Sequence, residues 1–375
     1  MRIAILGAGG VGGYYGGALA RAGHSVVMLA RGTHLEALQE RGLEVRTPEG
    51  TFQAAVEASG DPAALGAVDL AVVAVKTYSL LEIAPAARLL AEAGAVVLPL
   101  LNGVEAAGRL VESGVPDGRV LGGLTEISAA RIGPGIVERR SSFQRVVVGE
   151  RTGGISERCE RIAAAFRETG AEARASADIT ADLWRKLAFI STMAAACGLA
   201  RSPVGPIRDR PLGHLLIERA VREVLAVGRA LGIDLSAEDE VRILGFVDSM
   251  APGLKPSFLL DVEAGGPTEI DDLSGAVARL GRKAGIETPV HDVAAAVFGR
   301  AGLSEEKPGD LKSGYRELPA NKPAASSGRG TWNQVPAQPG ASDWSRALST
   351  SKSTGLVRWW SKPASMDFLR SSDWP

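Results

Sequence analysis

The chain has 375 residues, 45% of them hydrophobic and 23% charged, with a formal net charge of -1. That balance fits an enzyme-like globular protein with room for two domains, and it argues against a nucleic-acid partner or an anionic membrane surface. Cys159 and Cys197 form no C-x-x-C pair, so neither a metal site nor a disulfide framework is expected and a reducing cytoplasm is the default; no apolar stretch of about 18 residues runs unbroken, so no membrane span is expected.

Ile3 to Leu6 reads as a short buried strand, followed by Gly7, Gly9 and Gly12 in G-x-G-x-x-G spacing and a helix from Tyr14 to Ala22. Ser25 to Ala30 reads as the next strand. The glycines allow a tight turn, close approach of backbone to a pyrophosphate, and close helix–strand packing, and the helix start offers free N–H groups to the same phosphates. Because the motif lies inside a βαβ unit, Gly7, Ala8, Gly9, Gly10, Val11 and Gly12 form a candidate dinucleotide-binding loop. A secretory leader is disfavoured, since the glycines between Gly7 and Gly17 interrupt any apolar core. NAD sites usually end the second strand with Asp or Glu, which holds the ribose 2′-hydroxyl. Arg31 stands here instead, and a guanidinium suits a 2′-phosphate, so NADPH is the expected cofactor.

A helix over His34 to Arg41 precedes a β-hairpin around Pro48-Glu49-Gly50. Val68 to Val75 reads as a central strand ending at Lys76, Ser79 to Ala93 as a helix, and Ala95 to Leu101 as another buried strand ending at Asn102-Gly103. Lys76 alone could be a solvated loop lysine, and Asn102-Gly103 a plain turn. Together with Gly7 and Arg31 they mark the carboxyl ends of successive strands, where open α/β sheets bind ligands. Val120 to Arg140 and Phe143 to Glu150 read as β-segments that extend this sheet, followed by a helix over Ile155 to Thr169 and a last short strand.

From Asp178 the pattern becomes helical, over Ile179 to Cys197, Leu212 to Leu231, Ala237 to Met250, Thr268 to Ala284 and Val290 to Arg300. The expected organisation is a Rossmann-type α/β domain over 1–176 and an all-helical domain over 177–303, with a substrate cleft between them. Residues 304–375 form a Ser-, Pro-, Gly- and Trp-rich tail of low expected order. In the helical domain, Lys186 opens an otherwise apolar helix, so it either snorkels to solvent or faces the cleft. Ser257, Asp261 and Glu269 flank a helix turn and a new helix start, where Thr268, Asp271 and Asp272 also suit plain N-terminal capping.

In GAGGVG with Arg31, AVK at Lys76, LNG at Asn102, W-x-K at Trp184–Lys186, and S-x-x-x-D with TEID over Ser257–Asp271, the chain resembles a divergent branch of the ketopantoate reductase (2-dehydropantoate 2-reductase) family. The resemblance runs from Met1 to about Arg300. It implies that the glycine loop and Arg31 bind NADPH, that Lys76 and Asn102 line the cofactor and substrate crevice, and that Lys186 is the catalytic acid. It further implies that Ser257 and Asp261 bind the substrate and that Glu269 binds a substrate hydroxyl and assists Lys186. A developing alkoxide needs a positive charge and a proton, which an ammonium supplies. Many family members carry asparagine one turn after the lysine; Ile190 stands there, which leaves the choice of 2-oxo acid open. The expected activity is reduction of ketopantoate to pantoate by a monomer or homodimer. The alternatives are reduction of another small 2-oxo acid, or non-catalytic NADP sensing with a partner-binding tail.

Overall fold

Along β1 (Arg2–Leu6), Ile3 and Ile5 enter one core while Ala4 and Leu6 enter another, and all four are fully buried. A strand covered on both faces must be apolar throughout, which explains its continuous hydrophobic run. The computed structural model describes residues 1–299, so the tail from Ser304 and the end of the segment before it lie outside the described residues.

After β1 come α1 (Gly10–Arg21), β2 (Ser25–Leu29), α2 (Gly32–Arg41), the hairpin of β3 (Leu43–Thr47) and β4 (Gly50–Ala54), and β5 (Glu57–Ser59). Next are β6 (Leu70–Val73), α3 (Leu80–Glu92), β7 (Val96–Pro99) and α4 (Ala106–Glu112). Strands β8 (Gly122–Glu126), β9 (Ala129–Gly133), β10 (Ile136–Arg139) and β11 (Arg145–Gly149), helix α5 (Glu157–Glu168) and β12 (Glu172–Ser176) complete the α/β part. The main sheet is parallel, in the order β5-β2-β1-β6-β7.

The segments after Val120 do not simply extend that sheet. β9 and β10 join the β3–β4 hairpin in a second sheet of order β4-β3-β10-β9, while β8, β11 and β12 form a third. One bridge, Val97 to Val120, ties the third sheet to the main one. The second sheet finds its cover on α1: Val45 and Val137 are fully buried, and they pack where Gly17 and Gly13 leave room. Helix α1 therefore has β-structure on two sides, and it begins at Gly10, inside the glycine motif.

The helical part comprises α6 (Ile179–Ala200), α7 (Val204–Arg208), α8 (Pro211–Ala230), α9 (Ala237–Ser249), α10 (Ser257–Glu263), α11 (Ser274–Ala284) and α12 (Pro289–Phe298). Its core joins Trp184 and Leu187 of α6 to Val221, Val224 and Leu225 of α8 and Val277 of α11. The helix expected over Thr268 to Ala284 is broken: a single 3-10 turn spans Ile270–Asp272, and α11 starts only at Ser274. The break leaves Glu269 free to turn its side chain toward the sheet. Short helices α4, α7 and α10 were too brief to show a period in the sequence. Among the described residues no helix is long and apolar enough to cross a membrane.

His291 reports on this core. Its Nε2 donates to the Ala220 carbonyl at 3.1 Å, so Nδ1 is the acceptor for the Ser274 hydroxyl at 3.0 Å, and the ring is fully buried. Burial pushes its pKa down to about 4 from 6.5, although the Ala220 bond opposes the shift. The unfolded chain therefore takes up the proton first as pH falls, and stability present above pH 6.5 is lost progressively toward pH 4. The expected loss is about 3 kcal/mol at about 1.4 kcal/mol per unit. Thermal unfolding from pH 7 to 4 checks this, with His291→Asn expected to flatten the dependence.

Candidate active site

Four strands of the main sheet, β1, β2, β6 and β7, bring the candidate residues to one edge. Past β1, Gly7 adopts a φ of +108°, where a side chain would be strained and would also press on Val75 at 2.5 Å. A Cβ on Gly12 would run into the Gly7 carbonyl, so the close helix–strand contact requires glycine there. Gly9, the N-cap of α1, faces open space, and the first turn of α1 carries no acidic side chain. A loop that is bare on its outer side, backed by a helix N-terminus, fits the phosphates of a dinucleotide. Ala8 is buried beneath the loop and Val11 is half-buried. Arg31, just past β2, holds its side chain 89% exposed and pairs with Glu82 at 3.2 Å. That surface pair is weak enough to yield to a phosphate.

The other two strands meet the helical part. Lys186, in the second turn of α6, is only 8% exposed and donates to Asn102 Oδ1 at 3.0 Å. Asn102 Nδ2 donates to Glu269 Oε2 at 3.1 Å. Glu269 also accepts from the Thr77 amide at 3.1 Å and from Lys76 Nζ at 3.4 Å, and Lys76 Nζ bonds Asp261 at 2.8 Å. Lys186, Asn102, Glu269, Lys76 and Asp261 thus form one continuous chain of polar contacts across the junction. Glu269 reaches Lys186 through the amide of Asn102, and its direct cationic partner is Lys76. Ser257 opens α10 one turn before Asp261 on the same helix face; its side chain is exposed and outside this chain of bonds. Thr77 Oγ1 is buried without a partner beside Glu269, leaving one hydroxyl at the crevice able to serve a ligand.

The two lysines differ in kind. Burial pulls Lys76 down, but the Glu269 and Asp261 carboxylates outweigh it and hold its pKa above the ordinary value. For Lys186 burial prevails: its pKa is lowered, with Glu126 and then Glu269 pulling the other way. Opposed environments of this sort separate a permanent charge, Lys76, from a group suited to giving up a proton, Lys186. Glu126, at the end of β8, was not singled out in the sequence, although it too stands at the end of a strand; Arg145 lies 3.6 Å from it. Ile190 is one turn beyond Lys186, on the same face of α6, and packs partly buried against the helical core.

A second set of contacts holds Asn102 in place. Gly103 has a φ of +86°, and a Cβ on it would come within 2.8 Å of the Asp272 carbonyl. Arg109 of α4 binds Asp272 and Glu105, and Arg279 of α11 binds Glu105 at 2.7 Å. Apart from the i,i+4 pair Glu105–Arg109, nothing in local sequence pattern marks these pairs.

Comparison with known proteins agrees with this layout. The family profile described as "Ketopantoate reductase PanE/ApbA" matches residues 3–153, and "Ketopantoate reductase PanE/ApbA C terminal" matches residues 178–300. A 2-dehydropantoate 2-reductase of Halobacterium salinarum is 34% identical over 294 residues, covering 77% of this chain and 95% of the relative. The crystal structure of 2-dehydropantoate 2-reductase from Geobacter metallireducens superposes with a TM-score of 0.74 at 30% identity, over 80% of this chain and 99% of that one. A ternary structure of D-mandelate dehydrogenase with NADH and anilino(oxo)acetate has a TM-score of 0.73 at 25% identity, covering 80% and 97%. A nicotinamide-dependent oxidoreductase architecture, with its glycine loop and its polar junction in sequence order, places this chain in the ketopantoate reductase family.

Proposed function

We propose that the chain is an NADPH-dependent reductase of a small 2-oxo acid, with ketopantoate as substrate and pantoate as product. The observation that carries this is the Lys186–Asn102–Glu269 chain of hydrogen bonds at the same sheet edge as the glycine loop. The glycine loop of residues 7–12 and Arg31 hold the dinucleotide, with Arg31 on the 2′-phosphate. A bound reduced nicotinamide supplies the hydride for the C2 carbonyl carbon. Lys186 stabilises the charge that grows on the carbonyl oxygen and delivers the proton that completes the alcohol. Asn102 donates no hydrogen bond to Lys186 but orients its ammonium. Lys76 keeps a fixed positive charge beside Glu269, and Ser257 and Asp261 on α10 face the substrate's far end. The α/β part to residue 176 contributes the cofactor half of the site, and the helical part to residue 303 contributes the acid.

A second substrate reading rests on Ile190. An aliphatic side chain on the Lys186 face suits a 2-oxo acid with an apolar substituent, and a structural relative binds anilino(oxo)acetate. Oxidation of NADPH with ketopantoate and with branched and aromatic 2-oxo acids separates the two. Turnover confined to apolar acids selects the second reading, and no turnover on any acid removes both. Arg31→Ala is expected to raise the Kd for NADPH about tenfold, with little effect on NADH, as for loss of a charged hydrogen bond. Equal weakening of both cofactors would rule out the 2′-phosphate contact.

A further inference from the structure

His34 belongs to neither the crevice nor the ion pairs. It lies in the first turn of α2, three residues after Arg31, and is almost fully buried. Its Nε2 is 2.8 Å from the Ala8 carbonyl, in the glycine loop 26 residues earlier. Its Nδ1 is 2.9 Å from the amide nitrogen of Gly135, in the turn between β9 and β10, 101 residues later. The tautomer follows from these partners: a carbonyl can only accept and a backbone N–H can only donate, so Nε2 carries the proton and Nδ1 is bare. Burial lowers the pKa of the ring and Arg131 adds to that, while the Ala8 bond opposes it; the net direction favours the neutral form that both bonds need.

The geometry makes the Ala8 bond the consequential one. In a planar trans peptide the C=O and the following N–H point in opposite directions. Holding the Ala8 carbonyl on the His34 side therefore aims the Gly9 N–H to the opposite side of that peptide, at a residue around which a Cβ would meet nothing within 4 Å. That open side is where the loop receives a pyrophosphate in the reading above, on which the inference rests. The Gly135 bond ties the same ring to the second sheet, whose strand β9 also crowds the loop: a Cβ on Gly10 would run into the Ala129 carbonyl.

We infer that His34 is a positioning residue for the dinucleotide: its Nε2–H fixes the Ala8–Gly9 peptide so that the Gly9 amide points at the cofactor phosphates. The two ring nitrogens can be tested apart, because a glutamine amide nitrogen reaches the Nε2 position and an asparagine carbonyl the Nδ1 position. The full chain is titrated with NADPH by fluorescence, and steady-state KM and kcat are measured, for wild type, His34→Gln and His34→Asn. His34→Asn keeps the acceptor for Gly135 but loses the Ala8 bond, and is expected to raise Kd and KM for NADPH about tenfold with kcat changed less than about threefold. His34→Gln restores the donor to Ala8 and is expected to stay within about threefold of wild type in Kd. A purely structural ring would give the two variants equal Kd values, or would lower kcat and melting temperature together, and either result overturns the inference. Wild-type protein that binds no NADPH would instead overturn the dinucleotide reading, and this inference with it. His34→Asn and His34→Gln melting within a few degrees of each other show that the comparison is between folded proteins.

Discussion

Lys186→Ala is expected to lower kcat by about 10²–10⁴-fold, the usual worth of a positioned proton donor, while NADPH still binds. The expectation follows from burial: an 8%-exposed ammonium held by Asn102 at 3.0 Å has no substitute close by. Lys76 is committed to Asp261 and Glu269 and does not move to replace it. The pH dependence carries the same signature. A general acid works protonated, so activity falls as pH rises through the pKa of Lys186, and burial places that fall below the ordinary lysine value of 10.5. Glu126 and Glu269 both favour the charged form, so neutralising either one shifts the alkaline limb to lower pH. Stopped-flow measurement of the hydride step across pH 7–10 separates this from cofactor release. A Lys186→Ala enzyme with wild-type kcat would assign the proton to another group.

Glu269→Ala has the second large effect, on both stability and rate. Glu269 accepts from the Thr77 amide and the Asn102 amide in a buried position, so its removal orphans two donors. At about 1–3 kcal/mol for each buried donor left unsatisfied, the fold loses about 2–6 kcal/mol. The Asn102 amide also loses the partner that sets its orientation, and the Oδ1 contact with Lys186 loosens, so kcat is expected to drop at least about tenfold, as when supporting hydrogen bonds of a site are removed. Glu269→Gln is no rescue. Its NH₂ would face either the Thr77 N–H at the Oε1 position or the Asn102 amide and the Lys76 ammonium at the Oε2 position, and both orientations replace an attraction with a clash of donors. Denaturant unfolding and kcat measured on both variants check the pair of expectations, and a Gln variant with wild-type kcat and stability would contradict the assigned bond directions.

The parts that sequence pattern makes legible are those set by short-range physics. The continuous apolar runs at Ile3–Leu6 and Leu70–Val73 follow from burial on both faces of one sheet, and the glycine spacing follows from contacts within a single βαβ unit. Lys76 and Asn102 stand out because each closes such a run, and the structure brings both to the junction with Lys186 and Glu269. Less legible is whatever depends on long-range pairing. The segments after Val120 look like further strands of the main sheet because their alternation does not say which sheet they join. That is decided by Val137 finding Val45 across β10 and β3, over α1. The uninterrupted helix expected over Thr268 to Ala284 fails because Glu269 is drawn to donors 167 and 192 residues earlier in the chain. Glu126 also closes a strand, but inside a longer β-like stretch from Val120 to Arg140 whose breaks are not marked by pattern, and His34 and the Arg109–Asp272 pair carry no local signal beyond their residue type.

Asn102 sits between an ammonium and a carboxylate, and an amide cannot take up or release a proton in this pH range. It acts as an insulator. Lys186 feels Glu269 as an electric field conducted through a dipole, with no direct hydrogen bond between the two. A direct lysine–glutamate pair would have to be torn apart at the moment of transfer, with a solvation penalty in a dry crevice. With the amide between them, the proposed transfer from Lys186 to the oxygen of the reacting ketone would not first have to break an ion pair to Glu269. In the proposed reaction the side chain that performs no chemistry is thus the one that keeps acid and carboxylate apart.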